Sequence, residues 1–119
     1  MAASPRFQKL VAAIKPHITE ITATDALERH ASGAILVDVR EADEYEKGYA
    51  LDAIHLARGV LEMKIEEAVP DLATPIVCYC GGGNRSALAV ENLQRMGYSN
   101  VASMAGGFKD WKERGLPTS

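Results

Sequence analysis

The sequence predicts one small α/β domain, with a mostly parallel central sheet flanked by helices on both faces. Three observations point there. Short apolar runs rich in Val and Ile alternate along the chain with segments whose apolar residues recur at helical spacing. Ile35-Leu36-Val37-Asp38-Val39 is apolar with one interruption, the pattern of a strand covered on both faces. A further run, Pro75-Ile76-Val77-Cys78-Tyr79, stops at Cys80-Gly81-Gly82-Gly83 and passes directly into helical sequence.

Taken in order, Phe7, Leu10, Val11 and Ile14 predict a short amphipathic helix over residues 5–15 that docks on the domain, with dimerisation the lesser use; Pro16 ends it. Residues 18–21 alternate like a short strand. Thr22-x-x-Asp25 resembles a capping box, with aspartate in place of glutamate, and opens a helix that Gly33 closes. The strand at 35–39 follows, then a short helix ending at Gly48, a short strand at 53–56 and a helix from Leu61 to Val69 stopped by Pro70. The strand before Cys80 leads into a helix over Ser86–Met96, closed by Gly97. Asn100–Met104 is the last strand, and Gly106-Gly107 starts a final helix carrying Phe108 and Trp111. Residues 1–16 are expected to form a helical extension packed on a domain of residues 17–119.

At 119 residues the chain can bury a real core as one domain. Hydrophobic residues at 47% and charged residues at 24% are ordinary globular values. A net charge of -3 and a pI near 5.6 exclude a general nucleic-acid binder. No apolar run approaches the roughly 18 residues of a membrane span. Lys9 and Lys15 interrupt the N-terminal apolar positions, which leaves them too short and too charged for a signal-peptide core. The expected setting is therefore cytoplasmic and reducing. Cys78 and Cys80, two apart in one strand, do not suit a structural disulfide.

The chemistry concentrates at Cys80-Gly81-Gly82-Gly83-Asn84-Arg85-Ser86. Consecutive glycines make sense where unusual dihedrals or close approach are needed, and such a loop can turn its N–H groups inward around an anion. The following helix adds free N–H groups and the positive end of its dipole. Cys80 sits at the mouth of this cradle with Arg85 across it, which predicts a thiol that ionises readily and acts as a nucleophile. Ser86 either caps the helix or donates to the sulfur, and Asn84 either adopts a left-handed conformation or contacts substrate. Arg58 is a candidate for reaching the pocket and binding an anion. Cys78 is read as an inert core thiol, with a resolving cysteine the lesser reading, and Arg40 with Asp38 as a structural ion pair. The residues Glu62, Lys64, Glu66 and Glu67 read as a solvated helix face, and Phe108 and Trp111 as core. His17, His30 and His55 lie apart without metal-ligand spacing, so neither metal nor cofactor is expected.

Four ordered motifs resemble the rhodanese family of single-domain sulfurtransferases, covering nearly everything from Thr22 to Pro117. Leu36-Val37-Asp38-Val39-Arg40 with Glu44-Tyr45 and Gly48 resembles its first signature, and Ala53-Ile54-His55-Leu56 with Arg58-Gly59 its second. Cys80-x-x-Gly83-x-Arg85-Ser86 resembles the active-site loop, and Gly106-Gly107 with Trp111, Gly115 and Pro117 the C-terminal signature. The chain departs from the pattern at Tyr49-Ala50-Leu51-Asp52, where the family usually has histidine, isoleucine, a small residue or proline, and glycine. It departs again at Ala57, where proline is common.

The resemblance implies a rhodanese-like domain in which Cys80 takes the outer sulfur of a donor such as thiosulfate, becomes a persulfide, and passes the sulfur to cyanide or a thiol. Cys80 and Arg85 would be catalytic, while Gly81, Gly82, Gly83, Asn84, Ser86 and Arg58 would bind substrate. The expected partners are a small-molecule donor and a thiophilic acceptor, or a protein donor or acceptor if the domain is instead a persulfide carrier. The protein is expected to act as a monomer or weak dimer. Phosphatases on the same fold hold a tetrahedral oxyanion in a loop one residue longer; here only Gly81–Asn84 separate Cys80 from Arg85, which suits a single sulfur atom.

Overall fold

A computed structural model describes residues 4–119. The first three residues of the expected N-terminal extension lie outside the described residues. Helix α1 (Pro5–Ile14) runs into a 3-10 turn at Lys15–His17, which contains Pro16. There follow β1 (Glu20–Ile21), α2 (Ala23–Ala31), β2 (Ile35–Asp38), α3 (Ala42–Glu46), β3 (Ile54–His55) and α4 (Leu61–Ala68). The chain then forms β4 (Ile76–Tyr79), α5 (Asn84–Arg95), β5 (Val101–Met104) and α6 (Gly107–Glu113).

The five strands form one sheet in the order β1-β5-β4-β2-β3, and every pairing is parallel. Strands β2, β4 and β5 occupy its middle, where neighbours on both sides extend their pairing. The edge strands β1 and β3 are shorter than the sequence suggests. Each has one neighbour, so its ends gain fewer ladder bonds, and the predicted strands at 18–21 and 53–56 shrink to two residues apiece.

Alternate strand residues feed two cores. Val37, Val39, Ile76, Cys78 and Cys80 pack with Leu61 and Ile65 of α4 and Ala89, Val90 and Leu93 of α5. Leu36, Val77, Tyr79, Ala102 and Met104 pack on the other face with Ala23 and Ala26 of α2 and Phe108 and Trp111 of α6. Helix α1 lies against α5, with Val11 buried. Thr22 Oγ1 accepts the Asp25 N–H at 3.1 Å, the Thr22 half of the capping box that the sequence suggests at the start of α2. The buried Asp38 carboxylate takes Arg40 Nη2 at 2.7 Å, and the same Nη2 donates to the Gly48 carbonyl at 2.7 Å. This pair ties the end of β2 to the chain beyond α3. Among the described residues no helix is long and apolar enough to cross a membrane.

Candidate active site

The end of β4 delivers Cys80 to the carboxyl edge of the sheet, beside its middle strands, which is where open α/β sheets bind ligands. The loop turns back over it. Gly83 has φ +101, and a Cβ there would overlap the Ala105 carbonyl oxygen, so the tight turn and the close approach both require glycine. This turn aims two amides at the sulfur: the Gly83 N–H donates to Cys80 Sγ at 3.1 Å and the Ser86 N–H at 3.4 Å. The loop carbonyls point the other way. Phe108 N–H donates to Cys80 O at 2.8 Å and Lys109 N–H to Gly81 O at 3.2 Å, so the start of α6 holds the loop from beneath. Gly107, at φ +65, lies against Gly81 and Gly82 where a Cβ would overlap the loop backbone.

Cys80 is 1% exposed, and its surroundings are polar on the loop side. Ser86 is the third residue of α5 rather than its cap; the cap position belongs to Gly83. The Ser86 hydroxyl instead lies 3.6 Å from Cys80 Sγ and 2.8 Å from Ser103 Oγ on β5. Asn84 begins α5, and the left-handed conformation considered for it falls on Gly83. Gly82 is the open point of the loop, where a Cβ would meet nothing within 4 Å.

Arg85 forms a pair with a carboxylate. Its Nη1 and Nη2 donate to Glu44 Oε1 at 2.6 Å and Oε2 at 3.0 Å, a bidentate contact between α5 and α3. The guanidinium still lies over the loop, since a Cβ on Gly81 would sit 3.2 Å from Arg85 Nη2. The Glu44 bond, and after it the charge of Cys80, raise the Arg85 pKa above the usual arginine range. In return the Arg85 bond holds the Glu44 carboxyl down to about 2. Glu44 Oε1 also accepts the Glu41 N–H, so one carboxylate both opens α3 and fixes the site arginine.

Arg58 is engaged with a carboxylate of its own. Its Nη1 donates to Glu62 Oε2 at 2.7 Å, and Asn92 Nδ2 reaches the same oxygen at 2.7 Å. Glu62 is thus a half-buried junction between α4 and α5, not part of a solvated face. Cys78 is fully buried, and burial pushes its thiol up to about 12, in keeping with an inert core group. Both cysteines are free.

Beside the loop, between α3 and α6, a cavity of about 320 Å³ is lined by Arg40, Lys47 and Lys112 together with Glu44 and Phe108. Arg40 and Glu44 are already paired, with Asp38 and Arg85, so the cationic character of this lining comes from Lys47 and Lys112. Glu44 and Ser103 are two residues whose side chains support the loop and which sequence reasoning did not assign to the site. Glu44 stood out only as part of the first signature, at a helix start. Ser103 carried a signal of its own: it shares a sheet face with Val101 and Cys78, where an apolar residue would be expected.

Fold and loop together define a cysteine-loop α/β domain, with the sulfur cradled by backbone amides at the end of a central parallel strand. Residues 22–114 match the Rhodanese-like domain family, and the chain belongs to that family. Among solved structures it is similar to a Rhodopseudomonas palustris protein of unknown function, named as a possible tyrosine phosphatase, at 30% identity and TM-score 0.88; the match covers 100% of this chain and 98% of that one. It is similar to the polysulfide-sulfur transferase homodimer of Wolinella succinogenes at 29% identity and TM-score 0.83, covering 96% and 87%. A thiosulfate sulfurtransferase from Pseudomonas aeruginosa matches at 27% identity and TM-score 0.80, over 95% of this chain but 22% of that one.

Proposed function

We propose that this protein is a sulfurtransferase that carries a sulfane sulfur on Cys80. The observation that carries this reading is the pair of loop amides directed at Cys80 Sγ from 3.1 and 3.4 Å. Those donors stabilise negative charge on a thiolate, and the same loop geometry serves the persulfide that follows. The thiolate attacks the outer sulfur of thiosulfate. The thiosulfate S–S bond breaks, sulfite leaves with the bonding pair, and a persulfide remains on Cys80. An acceptor nucleophile then attacks the terminal sulfur and releases the Cys80 thiolate; cyanide leaves as thiocyanate. Arg85 offsets charge over the loop, and the cationic cavity beside it favours an anionic donor. The two free cysteines suit a reducing, cytoplasmic setting.

Two alternatives have a specific basis. A carrier that exchanges sulfur only with protein partners would use the same Cys80. A phosphatase is suggested by the name given to the Rhodopseudomonas protein, but the short loop here already closes on the sulfur atom and leaves less room for phosphate. The test is steady-state thiocyanate formation from thiosulfate and cyanide, with an aryl phosphate assayed in parallel. Ping-pong kinetics that vanish in Cys80→Ala, with the melting temperature kept, are expected. Turnover only from a protein persulfide would favour the carrier. Aryl phosphate hydrolysis that disappears in Cys80→Ser would overturn the assignment.

A further inference from the structure

The Ser86 hydroxyl touches both the Cys80 sulfur and a residue outside the loop. Ser103 stands on β5, directly across from Cys78 in the sheet register, so its side chain shares the sheet face from which Cys80 projects. Helix α5 crosses that face and sets Ser86 Oγ between the two, 3.6 Å from Cys80 Sγ and 2.8 Å from Ser103 Oγ. Both serines are 0% exposed, so neither hydroxyl faces bulk solvent.

We propose that Ser103 is a positioning residue, whose hydroxyl turns the Ser86 O–H onto the Cys80 sulfur and so favours the anionic form of that sulfur. The reason lies in the number of protons. Sulfur, Ser86 Oγ and Ser103 Oγ form a line joined by two contacts. Among the described residues, Ser86 is the one hydrogen-bond partner of Ser103 Oγ. A hydroxyl donates one proton and accepts at its lone pairs. With the sulfur protonated, the line holds three protons for two contacts, and one proton always lacks an acceptor within it. Both contacts are filled in either form, S–H donating to Ser86 and Ser86 to Ser103 when the sulfur is protonated. With the sulfur anionic the direction reverses, Ser103 donates to Ser86 and Ser86 to sulfur, and no proton of the line is left over. The loop amides add their two bonds in either case. A hydrogen bond to the charged form favours that form. Without Ser103, the Ser86 hydroxyl loses the donor that polarises its own O–H bond toward the sulfur.

The other charged or titratable groups that act on this sulfur are Arg85 of α5, with Glu44 of α3 behind it, and Cys78 of β4. These differ from the serine line in kind, since they act through charge, whereas Ser103 acts only through Ser86.

The proposal rests on Cys80 being the reacting sulfur, and its test is independent of sulfur transfer. The pH dependence of Cys80 alkylation by iodoacetamide would be measured for the wild type, Ser103→Ala, Ser86→Ala and the double variant. Ser103→Ala is expected to move the midpoint up by about half a pH unit, a roughly threefold loss of reactivity below the midpoint. Ser86→Ala should move it at least as far, and adding Ser103→Ala to Ser86→Ala should move it no further. Ser103→Thr keeps the hydroxyl and suits a strand, so it should retain the wild-type profile. A Ser103→Ala profile that superimposes on the wild type would overturn the proposal. So would a shift of the same size on top of Ser86→Ala, because Ser103 would then act by another route.

Discussion

Arg85 is paired with Glu44 over the Cys80 loop, and this pair has a pH signature. The Glu44 carboxyl is lowered from 4.5 to about 2, chiefly by its bond to Arg85. A carboxyl depressed on folding contributes stability above its unfolded pKa, and that contribution fades as pH falls through the folded value. The pair is about one-third exposed on each side, so solvent screening leaves it on the order of 1 kcal/mol. Urea midpoints should therefore favour the wild type over Glu44→Gln above pH 4.5, with the gap closing between there and about pH 2. A gap that stays constant or widens on acidification would contradict this. At this scale the sequence showed the loop but not its supports. Cys80, the glycines, Arg85 and Ser86 lie within one short stretch whose pattern carries its own chemistry. Glu44 reaches Arg85 across 41 positions and Ser103 reaches Ser86 across 17, and no local spacing encodes either meeting.

Among the elements, the β4–loop–α5 unit shows how two adjacent glycines play different parts. Gly83 combines φ +101 with backbone packed against Ala105, whereas Gly82 faces open space. Gly83→Ala should cost about 2 kcal/mol or more, from the left-handed conformation and the overlap together. Gly82→Ala should stay within about 1 kcal/mol of the wild type and lean toward stabilisation, by restricting the unfolded chain. Chemical denaturation of both variants checks the contrast, and equal destabilisation would refute it. Helix and strand positions were legible because each core element has a clear period and a Gly, Pro or Thr signal at an end. The edge strands fall short of their sequence pattern for want of a second neighbour. The departure at Asp52 has a local answer: it occupies a position where the family usually has glycine, and it adopts φ +66, a conformation that aspartate tolerates better than most residues. Its carboxylate lies 3.3 Å from His30 Nε2, which links this turn to the end of α2.

For the molecule as a whole, the parallel sheet gathers its functional parts at one edge. The carboxyl ends of β2 and β4 lie side by side, so the Asp38–Arg40 brace and the Cys80 loop are neighbours, with Arg40 4.3 Å over the Phe108 ring that also borders the cationic cavity. Removing either partner of a buried ion pair typically costs about 3–5 kcal/mol, which suits a structural role for Arg40 and Asp38. The fold class was legible from strand and helix alternation, since a parallel sheet needs crossover helices and the chain supplies them in order. Which helices cover which face was not, because that depends on packing between distant segments. The chemistry proposed for this edge reduces to one covalent event at one atom. Intact-protein mass spectrometry after incubation with thiosulfate, before and after cyanide, reads it directly. A gain of one sulfur, about 32 Da, mapped to Cys80 and removed by cyanide, is the predicted result for a covalent persulfide intermediate. An unmodified Cys80 after thiosulfate, with the protein folded and the thiol free to alkylate, would contradict thiosulfate as donor and leave the carrier reading in its place.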